Sequence, residues 1–203
     1  MKIKLTQAEL KRQRDALRQY ERYLPTLQLK KQLLQLEIVH QAAALHAKKT
    51  SLSGMENGAG EWAGLLDEAP GIGRWLVPGE VVTARKNIAG IEVPVFDRAE
   101  FPPAQYDLFL TPLWVDTAVV ALRGIVAARE EIRVMEEGIS VLTRELRVTT
   151  QRVNLFEKVK IPEATEAIRL IKISLGDQMT NAVGRSKIAK AKIDAANLGG
   201  LAG

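Results

Sequence analysis

The sequence contains no cysteine, which excludes a disulfide framework, thiolate zinc or iron–sulfur ligation and a cysteine nucleophile. A reducing compartment is compatible with that absence but not demanded by it. Aromatic residues make up only 5% of the 203 residues, which disfavours a compact core built on rings. The hydrophobic share of 46% is nevertheless too high for a disordered chain. Nowhere do about 18 apolar residues run together, and Arg123 interrupts the longest candidate. Met1 to Leu10 is charged where a secretory signal would be apolar. The expectation is a chain with no secretory signal and no insertion into a membrane. Histidine is scarce too: His40 and His46 lie six residues apart, on different faces of a helix, unlike the four-residue spacing of a zinc helix. They read as ordinary surface or seam residues.

What the sequence does have is charge, unevenly placed. Residues 1–50 hold 11 Lys/Arg against 4 Asp/Glu, residues 51–112 hold 4 against 9, and residues 113–203 hold 14 against 11, for a net +5 overall. Glycine and proline follow the same division and crowd the acidic middle, from Gly54 to Pro112. Two helical arms, 1–53 and 112–203, the latter with a flexible tail, are therefore expected to flank an irregular insert, 54–111.

The first arm opens on a capping box, Thr6 with Glu9, and a hydrophobic staple, Leu5 with Leu10. From there a heptad predicts one seam column of Leu10, Leu17, Leu24, Ile38 and Leu45 and a second of Tyr20, Leu27 and Leu34, with Lys31, Gln13 and Gln41 as interruptions. Pro25 predicts a kink and Ser53-Gly54 a stop, roughly 70 Å from Thr6 at the helical rise. Glu61 to Ala69 reads as a short further helix.

The second arm opens with Thr111 as cap and Pro112 at the first helical position. Its columns are cleaner: Ile125, Ile132, Ile139, Leu146 and Val153 in one, Ala128, Met135, Leu142, Thr149 and Phe156 in the other. At Pro162 the register slips by one residue and resumes as Ile161, Ile168, Leu175 and Ala182 beside Ala164 and Ile171, so a second kink or a change of partner is expected. Two long seams in one chain satisfy each other by folding back antiparallel. The fold class is thus mainly α, an antiparallel left-handed coiled coil with an irregular insert; a helical bundle with a larger core stays open, since bundles also show heptad columns.

Within the insert, residues of about 81–96 form two β-prone runs joined by Asn87-Ile88-Ala89-Gly90, which suits a type I turn with Asn first and Gly fourth. Pro94 places its strand on an edge, and Ile91, Val93 and Val95 share one face. A lone hairpin is marginal in water, so that face must lie on the helices or on a partner.

A search for chemistry returns little. Gly71-Ile72-Gly73 lacks a third glycine and a preceding strand, and Gly184-Arg185-Ser186-Lys187 lacks the order of a phosphate loop. Glu130-Glu131 and Glu136-Glu137 read as a solvated helix face. No nucleophile, base and orienter are nominated together, so an enzyme is a weak reading and no cofactor is expected. In an antiparallel arrangement Lys2, Lys4, Lys11, Arg12, Arg14 and Arg18 would meet Arg185, Lys187, Lys190 and Lys192 as one basic tip, suited to phosphates, anionic lipid or an acidic protein cavity. It lacks the interleaved aromatics and reading motifs of a nucleic-acid binder.

Three segments in order resemble one family: Tyr23-Leu24-Pro25-Thr26-Leu27-Gln28-Leu29-Lys30-Lys31, then Asn87-Ile88-Ala89-Gly90-Ile91-Glu92-Val93-Pro94-Val95-Phe96, then Arg152-Val153-Asn154-Leu155-Phe156-Glu157-Lys158-Val159-Lys160-Ile161-Pro162. With the heptads between them they are similar to the D-subunit family of V-type ATPases (V/A-type ATP synthases) in its bacterial form. The resemblance implies a non-catalytic central rotor stalk, with no nucleotide of its own. Its terminal end would enter a barrel of catalytic A and regulatory B subunits. The small F subunit and a funnel-like subunit would bind lower down, near the insert and hairpin. It also implies a place at the cytoplasmic face of the inner membrane as part of an ion-transporting complex. The tail departs from the glutamate-rich, aromatic tail of many archaeal and eukaryotic members, since Gly176 to Ile193 is small, polar and basic. A cytosolic coiled-coil scaffold or tether is the alternative reading, one that leaves the three linked motifs unexplained.

Overall fold

The computed structural model describes residues 4–68, 71–107 and 111–199, with side chains through Asp194. The elements in order are α1 (Gln7–Gly60), 3-10 turns at Ala63–Glu68 and Ile72–Trp75, β1 (Glu80–Ile88), β2 (Ile91–Glu100), α2 (Trp114–Leu155), a π-helical turn at Phe156–Lys160, and α3 (Ile161–Gly199). The protein is mainly α with one antiparallel hairpin. It divides into two compact units: Met1–Gln28 with Gln151–Gly203, and Leu29–Thr150.

In the first unit the Thr6 hydroxyl accepts from the Glu9 amide at 3.3 Å, giving α1 its cap. The Glu9 carboxylate does not reach back to complete the box; it accepts from Gln13 at 2.7 Å and pairs with Arg12 at 3.5 Å. Leu5 is exposed rather than stapled, because Leu10 is buried against Ile168 and Ile171, with Leu17 and Leu175 beside them. Further along α1, Tyr20 packs on Phe156, ring centroids 5.3 Å apart. Rising numbers on one helix meet falling numbers on the other, so the pair is antiparallel.

The helical register here is set by an unusual turn. The Ile161 amide donates to the Phe156 carbonyl, an i to i−5 bond that adds one residue to the helix. That extra residue absorbs the one-residue slip between the column ending at Val153 and the one resuming at Ile161, and the helix goes on through Pro162. Pro25 likewise lies inside an uninterrupted α1.

In the second unit α1 and α2 are again antiparallel. Leu34 packs with Leu142, Lys48 pairs with Glu131 at 2.6 Å, and Glu56 pairs with Arg129 at 2.6 Å. Leu34 and Leu142 are wholly buried, and burying each leucine contributes roughly 1.5–3 kcal/mol relative to exposure. The partly exposed ion pairs contribute about 1 kcal/mol or less each and serve more to pin register. A second cluster gathers Ile72, Val115, Ala118 and Val119 under Trp62, Trp75 and Trp114.

Three boundaries differ from the sequence expectation. α1 passes the expected stop at Ser53-Gly54 and ends at Gly60, since its seam side stays half-buried at Leu52, Glu56 and Ala59 and tertiary contact outweighs the glycines' weak propensity. The short helix expected over Glu61 to Ala69 is a 3-10 turn, Ala63–Glu68; Ala69 lies outside the described residues. Thr111 does not cap α2, which begins at Trp114: the Thr111 hydroxyl instead donates to the Asp107 carbonyl at 2.6 Å, and the Val115 amide donates to the Pro112 carbonyl at 3.1 Å.

The hairpin is also tighter than expected. Ile88 pairs with Ile91, leaving Ala89 and Gly90 as a two-residue turn with φ of 52° and 80°. Two positive φ values mark a type I′ turn, whose twist matches the strands where a type I turn would splay them. Asn87 still acts, accepting from the Gly90 amide at 3.0 Å. A bulge at Val82/Thr83 leaves Asp97 unpaired between Phe96 and Arg98, and Pro94 pairs with Arg85.

Candidate functional site

The candidate surfaces lie on helix faces and on the hairpin. Among the described residues no group of three or more His, Asp or Glu side chains is placed to hold a metal ion, and no helix is long and apolar enough to cross a membrane.

The seam comes first. Leu10, Leu34, Ile125, Ile132 and Val153 are buried, and Leu17, Leu24, Leu27, Ile38, Leu45, Ile139 and Leu146 are half-buried. Lys31, Gln13 and Gln41 also sit half-buried along it, and the Gln13 and Gln41 amides donate to Glu9 and Glu37 one turn back, at 2.7 and 3.0 Å. Beyond Leu175 no second strand covers the seam among the described residues: every side chain from Gly176 to Asp194 is exposed. Among them Met179 is 64% and Ile188 60% exposed.

The expected basic tip is distributed along the helices. Lys11 and Arg12 sit beside Leu10, at the level of Ile168 and Ile171, whereas Arg185, Lys187 and Lys190 lie on the single-helix extension, about 20–30 Å beyond Ile171 at the helical rise. The structure does not bring these two groups into one patch; Lys2 lies outside the described residues. The cause is length, since α3 continues well past the start of α1.

The C-terminal motif surrounds the π turn. Phe156 is packed on Tyr20, while Arg152, Asn154 and Pro162 are exposed. A groove of about 400 Å³ opens beside it, lined by Gln13, Tyr20, Lys160, Glu163, Ala164 and Ala167. On the same helix Arg169 holds the Glu166 carboxyl below its usual range through bonds of 2.7 and 2.8 Å.

The hairpin's inner face is seated on the second unit. Val93 is buried against Leu34 and Leu142, with Ile38, Ile88, Ala89, Ile91 and Leu146 packed around it. Phe96 and Pro94 are half-buried, Val95 and Gly90 are exposed, and Arg85 pairs with Glu92 across the outer face at 2.8 Å. Toward the hairpin's far end Arg98 bonds Glu100 of the same strand at 2.9 Å, which raises the guanidinium pKa further.

Sequence reasoning misses three features. Arg123, visible in the sequence only as a break in an apolar run, donates to the Trp75 and Pro102 carbonyls at 3.0 and 2.5 Å and lies over Phe101, tying two insert loops to α2. Its signal is a lone guanidinium in an apolar helix face. Gly138 is buried beneath Val93, a role that no local pattern encodes. Leu29, Leu33 and Leu36 expose an apolar stripe on α1 at spacings of four and three.

Comparison with known proteins agrees with this architecture. The family model for the D subunit of ATP synthase matches residues 9–191. The V-type ATP synthase D subunit of Borreliella burgdorferi is 43% identical over 192 residues, covering 95% of each chain. Those of Chlamydia pneumoniae and Chlamydia felis are 33% and 35% identical, each over 197 residues, covering 96% and 94% of this chain and 94% and 93% of their own. With a heptad-seamed antiparallel helix pair, a docked hairpin and near full-length similarity to these relatives, the chain belongs to the ATP synthase D-subunit family, as a component of a V-type rotary ATPase.

Proposed function

We propose that this chain is the central rotor shaft of a V/A-type proton- or sodium-transporting ATPase/ATP synthase. It contributes no catalytic group and binds no cofactor. The extension of α3 carries the reading. From Gly176 to Asp194 no strand covers it among the described residues, yet it bears Met179, Val183, Ile188 and Ile193. At about 100° per residue Met179, Val183 and Ile193 lie within about 80° of one another on one side and Ile188 lies opposite them, so apolar groups stand on two opposite sides of the helix. A flat docking surface would cover one side only; an enclosing cavity covers both. The barrel of catalytic A and regulatory B subunits is such a cavity, and Arg185, Lys187 and Lys190 suit an acidic or polar wall within it.

Coupling then follows from asymmetry and stiffness. Each nucleotide state of the barrel accommodates one face of the extension, and hydrolysis advances the preferred face, so the shaft turns; ion-driven rotation of the membrane ring reverses the cycle for synthesis. Twist is resisted by the buried seam of the helix pair. The small F subunit and the funnel-like subunit that joins the shaft to the ring would bind along the arms and insert (54–111). No contact with nucleic acid and no insertion into the bilayer is proposed, and the protein would lie at the cytoplasmic face of the inner membrane.

The test is a gentle detergent pulldown of the tagged chain from native membranes, with partner stoichiometry weighed by mass spectrometry. Two large ATPase subunits at about three copies each per copy of this chain, plus one small globular subunit, are expected. A soluble homo-oligomer without ATPase subunits would replace the rotor with a coiled-coil scaffold or tether.

A further inference from the structure

We infer that Gly138 is a positioning residue: it is the seat that fixes the β-hairpin onto both helices of the second unit, making the hairpin a rigid part of the body rather than a swinging arm. A Cβ at Gly138 would lie 2.8 Å from Val93 Cγ1, 3.5 Å from the Pro94 carbonyl oxygen and 3.7 Å from the Gln41 side-chain oxygen. The first distance is shorter than real Cβ contacts allow. Escape is not cheap. Val93 is 1% exposed and β-branched, with restricted rotamers, while the other two neighbours are at ordinary contact distance. Only a residue without a side chain admits the strand at this depth.

The seat has walls from two helices. Leu34 and Ile38 of α1 and Leu142 and Leu146 of α2 surround Val93, and Ile88, Ala89 and Ile91 of the hairpin tip pack on the same cluster. The tip therefore bridges α1 and α2, and the docked strand fixes which way the Arg85–Glu92 pair on its outer face points. Glycine within a helix is otherwise unfavourable, so Gly138→Ala raises intrinsic helicity while filling the seat. The two effects have opposite signs at two places, which separates a seat from a residue that merely supports the fold.

The experiment is hydrogen–deuterium exchange on the full chain as wild type, Gly138→Ala, Val93→Ala and the double variant. In Gly138→Ala the amides of residues 80–100 should exchange about tenfold faster while those of α1 and α2 hold or slow. The double variant, with a methyl added on one side and bulk removed from the other, should recover most of that protection. Unchanged hairpin exchange in Gly138→Ala, or a double variant no better protected than Gly138→Ala, would overturn the inference. Should Gly138→Ala not fold, the chain's lack of cysteine permits a second measurement. Gly138→Cys with Val93→Cys should cross-link within the chain under mild oxidation, and failure to cross-link would overturn the seat equally.

That the hairpin stays seated during turnover rests on the rotor reading. A complex assembled with the cross-linked chain should pump as well before reduction as after it, and pumping restored only by reductant would overturn a fixed hairpin. Failure of the rotor reading shows separately, as wild-type chain that recovers no ATPase subunits.

Discussion

The Ile161 amide donates its hydrogen bond to the carbonyl of Phe156, five residues back. That bond reconciles two heptad phases in a single continuous helical run. It also lies immediately before Pro162, which has no amide hydrogen to donate and whose ring would crowd the preceding turn of a regular α-helix. Deleting Lys158, an exposed residue of the turn, would restore regular α geometry and leave both seam columns in phase, but it would put the proline ring against that turn. The deletion alone should cost about 3 kcal/mol in denaturant unfolding. The deletion combined with Pro162→Ala should recover nearly all of it. If the combined variant remains as unstable as the deletion, the turn serves something other than register.

Much of this architecture is legible in the sequence, and the reasons are physical. A heptad column is a local repeat, and exposure follows it residue by residue from Leu10 to Leu52 on α1. The one-residue slip is legible for the same reason; its form as a π turn is not, because a spacing does not specify which hydrogen bonds close the turn. The end of α1 escapes a local reading because Glu56 is held by Arg129, 73 residues away, against the signal of Gly54. The turn type escapes it because pairing of Ile88 with Ile91 sets it, and strand register is a two-strand property. Gly138 is invisible for a like reason: its constraint comes from Val93, on a different element.

Burial distinguishes seam residues from their neighbours on the same helix. Leu34 and Leu142 are wholly buried and Ile132 is 8% exposed, whereas Leu36 is 71% exposed. Leu34→Ala, Leu142→Ala and Ile132→Ala should each cost about 2–5 kcal/mol, with half-buried Ile139→Ala below them. Leu36→Ala should stay within about 0.5 kcal/mol in the isolated chain. Chemical denaturation followed by helical circular dichroism ranks them, and equal costs for Leu34 and Leu36 would contradict a paired seam.

The hairpin turn holds two left-handed residues of different character. Gly90, φ 80°, has open space where a side chain would go, so Gly90→Val meets no clash and its cost is backbone strain, about 1–2 kcal/mol. Ala89, φ 52°, already carries such strain, but its methyl packs on the buried cluster. Ala89→Gly should therefore be close to neutral, since relief of strain offsets the missing methyl packing, while Gly90→Val loosens the tip and leaves the arms helical. Exchange rates of the Ile88 to Ile91 amides test this, and a tip unaffected by Gly90→Val would rule out the turn as assigned. In the assembled complex Gly90→Val should weaken assembly or coupling, read as ATP-driven proton or sodium pumping.

At the insert, Tyr106 donates to Asp116 and packs against Trp75, ring centroids 4.9 Å apart. The hydrogen bond to Asp116, aided by burial, raises the phenol pKa above its usual 10.0. A raised folded-state value means that this contribution is fully present below the unfolded pKa and is lost as pH rises through the folded one. Stability of the wild type relative to Tyr106→Phe should therefore be constant through neutral pH and narrow above about pH 10. A difference that instead opened with rising pH would reverse the assigned direction.

The extension of α3 separates stability from function most sharply. No side chain from Gly176 to Asp194 is buried, whereas Ile168 and Ile171 just before it form the core with Leu10. Ending the chain after Leu175 removes no buried side chain among the described residues, so the melting temperature of the isolated protein should change little. If the extension fills a partner cavity, the truncated chain should still recover those stalk partners that bind lower on the arms, while ATP hydrolysis in the barrel no longer drives ion movement. Replacing Met179, Val183, Ile188 and Ile193 together with serine should reproduce part of that loss, because apolar burial on both sides is what the enclosing wall would provide. Substituting only Met179 and Val183, which lie about 40° apart on one side, should have the smaller effect. Equal effects from the one-sided and all-round substitutions would mean that the extension lies against a surface, and full coupling by the truncated chain would remove the extension from the mechanism altogether.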